Sequence, residues 1–204
     1  IVLVVDECTL GFRETFGGIY KKFDVVPDMA MFGKTIGNGY ALTAVVGKKS
    51  VMEAAQNTFI SSTFWTERIG PTAALATLNV MEEIKSWEII TAIGNQMRQG
   101  WKQLALDNNL DIQITGLPSL STYTFNSVKH LEYKTLVAQE MLSKGYLAST
   151  SFYASTAHNE ANISIYLEAL NEVYMLISQC ERDEKRVEDL LNSPICHSGF
   201  KRLN

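Results

Sequence analysis

The chain opens on five consecutive apolar residues, Ile-Val-Leu-Val-Val at 1–5, all of them β-branched or leucine. A strand with one face in water alternates apolar and polar residues, whereas a strand covered on both faces of a parallel sheet is apolar throughout. The run therefore predicts a buried central strand in a mainly parallel sheet, which is the core of an α/β fold. Two further apolar runs, at 29–32 and 41–46, predict neighbouring strands of the same sheet.

Helical periodicity follows these strands. Ser50 is the predicted N-cap of a helix over 51–57, and alanine, leucine and methionine recur at helical spacing over 72–84. The pattern continues over 88–108 with few helix breakers. We therefore predict a long helical stretch that joins two structural units.

The chain changes character after Asn108. Apolar residues over 112–125 lie around a Gly116-Leu117-Pro118 turn, which predicts a small antiparallel sheet. We expect a domain boundary near residue 98, so that 1–98 is part of a large sheet domain and 99–204 is a small α+β domain. Predicted helices flank the small sheet over 131–143 and within 159–191.

Charge and cysteine content exclude several classes of protein. The 18 lysines and arginines are outnumbered by 22 acidic residues, so no excess of cations exists to neutralise a nucleic-acid backbone. No apolar run reaches the roughly 18 residues that a membrane helix requires. Three cysteines without a CxxC pair favour a reducing, cytoplasmic setting. His130 and His197 lack the spacing of metal ligands, so we expect no metal site. From the charge balance and the short apolar runs we expect no nucleic-acid partner and no membrane partner.

Two opposite charges stand where the predicted strands end. Asp6 and Glu7 follow the first strand, and Lys34 follows the strand over 29–32. Because the carboxyl ends of neighbouring parallel strands meet at one edge of the sheet, where open α/β sheets bind their ligands, we expect Asp6 and Lys34 to converge. For an aspartate and a lysine taken alone, a salt bridge or a solvated loop is the usual explanation.

An apolar strand ending in Asp-Glu, with Gly33-Lys34-Thr35 nearby, is also typical of nucleotide triphosphatases. Their phosphate loop has the pattern GxxxxGK[ST], and the position of its first glycine is Asp28 in this chain. A carboxylate where the backbone should wrap around phosphate disfavours that function. The lysine loop also follows the acidic strand, which reverses the usual order.

An acid and a lysine together are also what pyridoxal phosphate requires. A lysine joins this cofactor as a Schiff base, and an aspartate pairs with its pyridinium nitrogen. An ion pair at about 3 Å in an effective dielectric near 20 is worth roughly 5 kcal/mol before desolvation. Asp6 would therefore keep the ring nitrogen protonated, so that the ring accepts electrons when a Cα proton leaves.

Four motifs occur in order along the chain. They are Val5-Asp6-Glu7-Cys8-Thr9-Leu10-Gly11-Phe12-Arg13, Pro27-Asp28-Met29, Gly33-Lys34-Thr35-Ile36-Gly37-Asn38-Gly39 and Ala44-Val45-Val46-Gly47. Together they resemble the class III aminotransferases, most closely the glutamate-1-semialdehyde aminomutase-like branch, and the resemblance continues through Ser62-Thr63-Phe64. It implies the α/β fold type I of pyridoxal-phosphate-dependent transferases. It also implies that the chain corresponds to roughly the carboxyl-terminal half of a family member.

The resemblance assigns roles to four residues. Lys34 matches the lysine that binds pyridoxal 5'-phosphate as a Schiff base and shuttles the Cα proton, and Asp6 matches the partner of the ring nitrogen. Cys8 stands where the family usually has valine or isoleucine packed on the ring. Thr63 matches a threonine whose hydroxyl reaches the cofactor phosphate from the neighbouring subunit, which implies a homodimer.

The function implied by the resemblance is transfer of an amino group from a small-molecule donor to a carbonyl acceptor, or an intramolecular amino shift. The alternative is a truncated, non-catalytic relative that serves as an interaction or structural protein. Retention of both Asp6 and Lys34 favours the enzyme. Because Lys34 already supplies proton transfer, His158 is expected to pack or cap a helix start instead of acting as a base. The sequence indicates neither the amino donor nor the acceptor.

Overall fold

The computed structural model describes residues 1–61, 63 and 66–199. The chain divides into two compact units, Ile1–Thr91 and Ala92–Asn204, which we call the first and second units. The division falls a few residues before the boundary expected near residue 98, and the assignment of the units to a large and a small domain stays a prediction. Within the described ranges, no helix has the length and apolar character needed to cross a membrane.

The first unit contains a three-stranded sheet formed, in spatial order, by β1 (Val4–Glu7), β2 (Met29–Phe32) and β3 (Ala44–Gly47). β1 and β2 are parallel, with Asp6 opposite Met31, and β2 and β3 are antiparallel. The sheet is therefore mixed, with the predicted parallel pairing confirmed for its first two strands. The helices of the first unit are α1 (Lys49–Met52) and α2 (Ile69–Ile84). Turns of 3-10 helix lie at Ile19–Phe23, Lys34–Ile36 and Glu53–Asn57.

The prediction of a buried central strand at residues 1–5 is wrong for the described chain. The strand begins at Val4, and the side chains of residues 1–4 are all exposed. Among the described residues β1 pairs with β2 alone, so it is an edge strand. An apolar run indicates that a strand is compatible with burial on both faces, but burial itself requires covering elements, and the described chain does not cover this run.

Two helix predictions in the first unit also need correction. Ser50 is not an N-cap, because it lies inside α1, which begins at Lys49 and has Lys48 as its N-cap. After four residues α1 passes into 3-10 helix. The long helical stretch is interrupted at Lys85, whose φ of +50° ends α2 in the left-handed region. The stretch therefore consists of two helices in place of one.

A small apolar core supports the first unit. Alternate residues of β2 point to one face of the sheet, so Ala30 and Phe32 are buried together with Ile36 from the next turn. Phe12 packs against this cluster, with its ring centroid 5.4 Å from that of Phe32. This core fixes the turns that follow β1 and β2.

The predicted small antiparallel sheet of the second unit is confirmed. In spatial order it consists of β4 (Ile112–Leu117), β5 (Leu120–Phe125) and β6 (Ser151–Tyr153). Its third strand was not predicted. The division between the units lies inside α3 (Ser86–Asp107). The other helices of the second unit are α4 (His130–Ser143), α5 (Glu160–Glu181) and α6 (Val187–Leu190).

An aromatic core holds the second unit together. Trp101 of α3 contacts Tyr123 of β5, with 4.7 Å between ring centroids, and Tyr174 of α5 lies 6.0 Å from Tyr123. All three side chains are completely buried, as is Leu136 of α4. Three helices and the sheet therefore share one core.

Candidate active site

Two parallel strands bring Asp6 and Lys34 to the same edge of the first unit's sheet. Asp6 is the penultimate residue of β1 and lies opposite Met31, and Lys34 follows β2 after one glycine. Both side chains are exposed, and the positive charge of Lys34 contributes to lowering the pKa of Asp6. The structure therefore places the two predicted charged groups within electrostatic reach of each other.

The carboxylate of Asp6 is held mainly by Cys8. The Cys8 backbone N–H donates to Asp6 Oδ1 at 2.9 Å, and this bond is the largest cause of the lowered pKa of Asp6. The Cys8 thiol and the positive charge of Lys34 lower the pKa of Asp6 further. Hydrogen bonds to the charged form stabilise it, so Asp6 is ionised at neutral pH.

The backbone at Lys34 adopts an uncommon conformation. Its φ is +41°, in the left-handed region that residues other than glycine rarely enter. The Lys34 carbonyl accepts hydrogen bonds from the N–H groups of Gly37 and Asn38. A Cβ at Gly37 would lie 2.3 Å from the carbonyl oxygen of Tyr40, so this tight loop needs glycine there. Such conformations cluster at functional sites, where the surrounding structure maintains them.

Cys8 lies beside the lysine loop. Its Sγ would be 3.5 Å from a Cβ built on Gly33, the residue before Lys34. The hydrogen bond to Asp6 is the largest cause of a raised pKa for the Cys8 thiol, which therefore stays protonated at neutral pH. Cys8 thus presents a compact neutral side chain beside Asp6 and the lysine loop.

Thr9 is a site residue that the sequence reasoning missed. Its hydroxyl oxygen accepts a hydrogen bond from the amine of Lys34 at 2.5 Å, and its carbonyl accepts one from Arg13 Nε at 2.7 Å. The signal in the sequence is its place three residues after Asp6, in the turn that leaves β1. No periodic pattern identifies a residue in such a turn.

Glu7 has a different environment from Asp6, although the sequence presents them as a pair. Successive side chains of a strand point to opposite faces, and Glu7 is buried, with Oε1 accepting from the N–H of Tyr20 at 3.3 Å. Gly18 also lies against this carboxylate, since a Cβ there would be 2.8 Å from Oε1. Glu7 therefore anchors the loop before β2, on the face away from Asp6.

Thr63 is exposed. Its neighbours Ser62, Phe64 and Trp65, which the family resemblance includes or borders, lie outside the described residues. Among the described residues neither Asp6 nor Lys34 forms a hydrogen bond with Thr63, so the phosphate-binding role of Thr63 stays a prediction.

A cleft of about 540 Å³ lies between the lysine loop and the start of α2. Asn38 and Tyr40 line it from the loop, and Arg68, Ile69 and Thr72 line it from the helix. The cleft therefore offers a cation and hydroxyl groups beside the segment that carries Lys34.

His158 has the packing role expected of it. Its Nδ1 accepts a hydrogen bond from the N–H of Ser155 at 3.0 Å, and its ring lies 4.9 Å from that of Phe152. The N-cap of α5 is the next residue, Asn159, which forms a capping box with Asn162.

The lysine loop does not have the geometry of a phosphate loop. A phosphate loop leads into a helix whose N-terminal N–H groups face the ligand. Here Lys34 begins a turn of 3-10 helix that ends at Ile36 and is followed by the loop that reaches Tyr40. The alternative of nucleotide hydrolysis is therefore disfavoured by the structure as well as by the sequence.

The residues at this edge fit pyridoxal phosphate. The cofactor needs an accessible primary amine for its aldehyde carbon and a carboxylate for its ring nitrogen. The Lys34 amine and the Asp6 carboxylate are both exposed at this edge of the sheet, and among the described residues neither takes part in an ion pair.

The fold is shared with known transaminases. The structure matches FumI of Sphingopyxis sp. MTA144, solved in its internal aldimine form with pyridoxal phosphate, with a TM-score of 0.80 and 23% identity over 92% of this chain and 46% of that one. It also matches an omega-transaminase from Sphaerobacter thermophilus, with a TM-score of 0.76 and 20% identity over 88% of this chain and 45% of that one. This is the fold type I of pyridoxal-phosphate-dependent transferases, so the predicted fold class is confirmed.

Sequence comparison gives the family directly. The family described as aminotransferase class-III matches residues 1–163, and this chain belongs to it. A 3-aminobutyryl-CoA aminotransferase from Cloacimonas acidaminovorans is 34% identical over 66% of this chain and 33% of its own length. A glutamate-1-semialdehyde 2,1-aminomutase from Methanococcoides burtonii is 31% identical over 83% of this chain and 44% of its own length. The chain thus spans less than half of each relative, and the family and its structures indicate pyridoxal 5'-phosphate as the cofactor.

Proposed function

We propose that this chain carries the lysine-bearing half of the active site of a pyridoxal-phosphate-dependent enzyme. The enzyme moves an amino group from a small amine donor to a carbonyl acceptor, or between two carbons of one substrate. The observation that supports it best is the exposed amine of Lys34 beside the ionised carboxylate of Asp6, at the carboxyl edge of parallel strands. Membership of the class-III family supports the same chemistry.

Lys34 is the proposed covalent anchor and proton carrier. Its amine would bind pyridoxal phosphate covalently, and while it is not joined to the cofactor it would accept the proton from the substrate Cα and later return it. The hydrogen-bonded backbone at Lys34 fixes the point from which this side chain extends. Bound pyridoxal phosphate supplies a conjugated ring that accepts the electron pair left on Cα.

Asp6 is the proposed partner of the ring nitrogen. Its lowered pKa keeps it charged throughout the range in which amines titrate. A fixed negative charge favours a proton on the nitrogen that faces it, and each unit of pKa shift corresponds to about 1.36 kcal/mol. The N–H of Cys8 supplies the hydrogen bond that holds the carboxylate, and the Cys8 side chain would border the ring.

Thr63 completes the proposed site as a phosphate ligand supplied from one subunit to the other. This role requires a homodimer, which we propose as the working assembly. The homodimer is typical of the class-III family, to which the chain belongs. Light scattering of the cofactor-loaded protein tests it, and a stable monomer that retains the cofactor would contradict it.

Exchange of the substrate Cα proton for deuterium tests the assignments. The polypeptide that carries this sequence is supplied with pyridoxal phosphate and a panel of amines in D2O, and exchange is followed by NMR. Lys34→Ala should reduce exchange by about 10²–10⁴-fold, the contribution of a positioned general base. Asp6→Asn, which preserves the shape of the side chain without its charge, should reduce exchange by about tenfold or more.

The matched control is Lys48→Ala. Lys48 is an exposed lysine of the same unit whose amine also donates to a side-chain oxygen, Asp28 Oδ1, at 2.8 Å. Exchange should be unchanged in this variant. Full exchange in Lys34→Ala would remove Lys34 from the mechanism. A wild-type protein that neither binds the cofactor nor exchanges any substrate would instead support the non-catalytic alternative.

A further inference from the structure

The Thr9 hydroxyl accepts a hydrogen bond from the Lys34 amine at 2.5 Å. We propose that Thr9 is the positioning residue for Lys34, because it holds the amine at the site whenever Lys34 is not joined to the cofactor. The inference rests on the proposed function, in which the lysine leaves the cofactor when the substrate amine arrives and rejoins it only when the catalytic cycle is complete.

The turn that presents Thr9 is itself held in place. The N–H of Gly11 donates to the carbonyl of Glu7 at 2.8 Å, which closes the turn after β1. Arg13 Nε donates to the Thr9 carbonyl at 2.7 Å, so the peptide that carries Thr9 is bonded directly. The hydroxyl is therefore presented to Lys34 from a defined position.

The opposite end of the lysine side chain is also fixed. The backbone at Lys34 is held by the N–H groups of Gly37 and Asn38. Between that backbone and the amine lie several freely rotating bonds, and a lysine side chain has more rotamer freedom to lose than almost any other. Thr9 forms its hydrogen bond with the Lys34 amine, which is the end of the side chain that the backbone bonds do not hold in place.

A hydroxyl suits this task better than the nearby carboxylate. Within the described residues Lys34 forms no ion pair with Asp6, whose carboxylate is bonded by Cys8. An amine paired with Asp6 would occupy the group that the ring nitrogen needs. A threonine hydroxyl can accept a hydrogen bond from the ammonium form and donate one to the neutral amine. Thr9 therefore holds Lys34 in both protonation states and leaves Asp6 accessible.

Two variants and two measurements test the proposal. Thr9→Val replaces the hydroxyl with a methyl group of similar size, and Thr9→Ser retains the hydroxyl. The first measurement is nitrogen-15 NMR relaxation of lysine side chains in the cofactor-free protein, with the exposed Lys49 of the same unit as the internal reference. The second is the rate at which Lys34 captures added pyridoxal phosphate, read by timed borohydride trapping and peptide mapping.

The Lys34 side chain should be more ordered than that of Lys49 in wild type and in Thr9→Ser, and equally disordered in Thr9→Val. Capture should slow roughly five- to tenfold in Thr9→Val, as expected for loss of one ordinary hydrogen bond, and stay within about twofold of wild type in Thr9→Ser. Normal order and normal capture in Thr9→Val would overturn the proposal. Slow capture in both variants with a lowered melting temperature would also overturn it, because the turn would then have a structural role only. A wild-type protein that captures nothing would overturn the proposed function itself.

Discussion

The two units of this chain bury their apolar residues to very different degrees. In the second unit, large side chains such as Trp101, Tyr133 and Leu136 are completely inaccessible to solvent. In the first unit, the opening run over 1–4 is exposed, as are Val26 and Phe59, and the core consists of a small cluster around Phe32.

This difference indicates that the second unit contributes most of the stabilising apolar core and that the first unit contributes the accessible charged groups. The second unit has a core that several helices and a sheet share, so its folding free energy comes from residues within 92–199. The first unit holds the accessible charged groups at the sheet edge, and it buries less apolar surface. Burial of about 25 cal/mol per Å² of apolar area stabilises a core, whereas a site needs charged groups that a substrate can reach. The contrast predicts which substitutions affect unfolding and which affect chemistry.

The largest effect on stability should come from a matched pair of leucines in the second unit. Leu136 is 0% exposed and Leu147 is 99% exposed. Leu136→Ala should lower the free energy of unfolding by about 2–5 kcal/mol because it leaves a cavity. Leu147→Ala should change it by less than about 0.5 kcal/mol. Urea unfolding followed by circular dichroism measures both, and similar values would show that the second unit lacks the shared core.

A smaller effect should come from two glycines of α3. A Cβ on Gly94 would lie 1.9 Å from the carbonyl oxygen of Pro118, whereas one on Gly100 would meet the tip of the Leu167 side chain. Gly94→Ala should cost about 1–3 kcal/mol, because backbone cannot move aside as a side chain does. Gly100→Ala should cost less, since alanine also gains up to about 1 kcal/mol of helix propensity. Equal melting temperatures for the two variants would contradict close packing between α3 and the β4–β5 turn.

The first unit should instead be sensitive to acid through two aspartates. The N–H of Cys8 lowers the pKa of Asp6, and the N–H of Leu3, followed by the Lys48 amine, lowers that of Asp28. Because both folded-state pKa values lie below the unfolded value of about 3.9, the stabilisation is fully present above that pH and is lost as the pH falls through the folded-state values.

Carbon-13 NMR titration of the carboxyl groups checks this prediction. Lys48→Met should move the pKa of Asp28 upward, toward its ordinary value, and leave that of Asp6 unchanged. Ordinary pKa values for both aspartates in wild type would show that the hydrogen bonds at this unit's sheet are not maintained in solution.

The smallest effect should come from an ion pair on the surface of the second unit. The amine of Lys144 in the turn after α4 bonds the carboxylate of Glu172 in α5, and the Glu172 side chain is 67% exposed. Glu172→Gln should change the free energy of unfolding by less than about 1 kcal/mol, because exposed pairs are screened by water and salt. A larger loss would mean that charge as well as apolar burial stabilises this unit.

The sequence was sufficient where a local pattern determines the structure. β2 occupies the predicted residues, and the predicted helix over 88–108 is present as α3 within two residues at each end. The meeting of Asp6 and Lys34 follows from the rule that parallel strands end at one edge. The first inference requires only the local pattern, and the second also requires that β1 and β2 pair.

The remaining features depend on information that no local pattern contains. The burial of residues 1–5 depends on which elements cover the strand, and a strand as short as β6 has too few residues to show periodicity. The role of Thr9 depends on the path of a turn, and the positive φ of Lys34 is maintained by bonds from Gly37 and Asn38. Three-dimensional contacts decide each of these.

Reductive labelling tests the central claim, that the first unit carries the cofactor-binding lysine. The protein is incubated with pyridoxal phosphate, reduced with borohydride, digested and mapped by mass spectrometry. The account predicts a pyridoxyl group on Lys34 in wild type and in Lys48→Ala, and none at position 34 in Lys34→Ala. A stoichiometric label on any other lysine, or an unlabelled Lys34 in a protein that catalyses amino transfer, would contradict it.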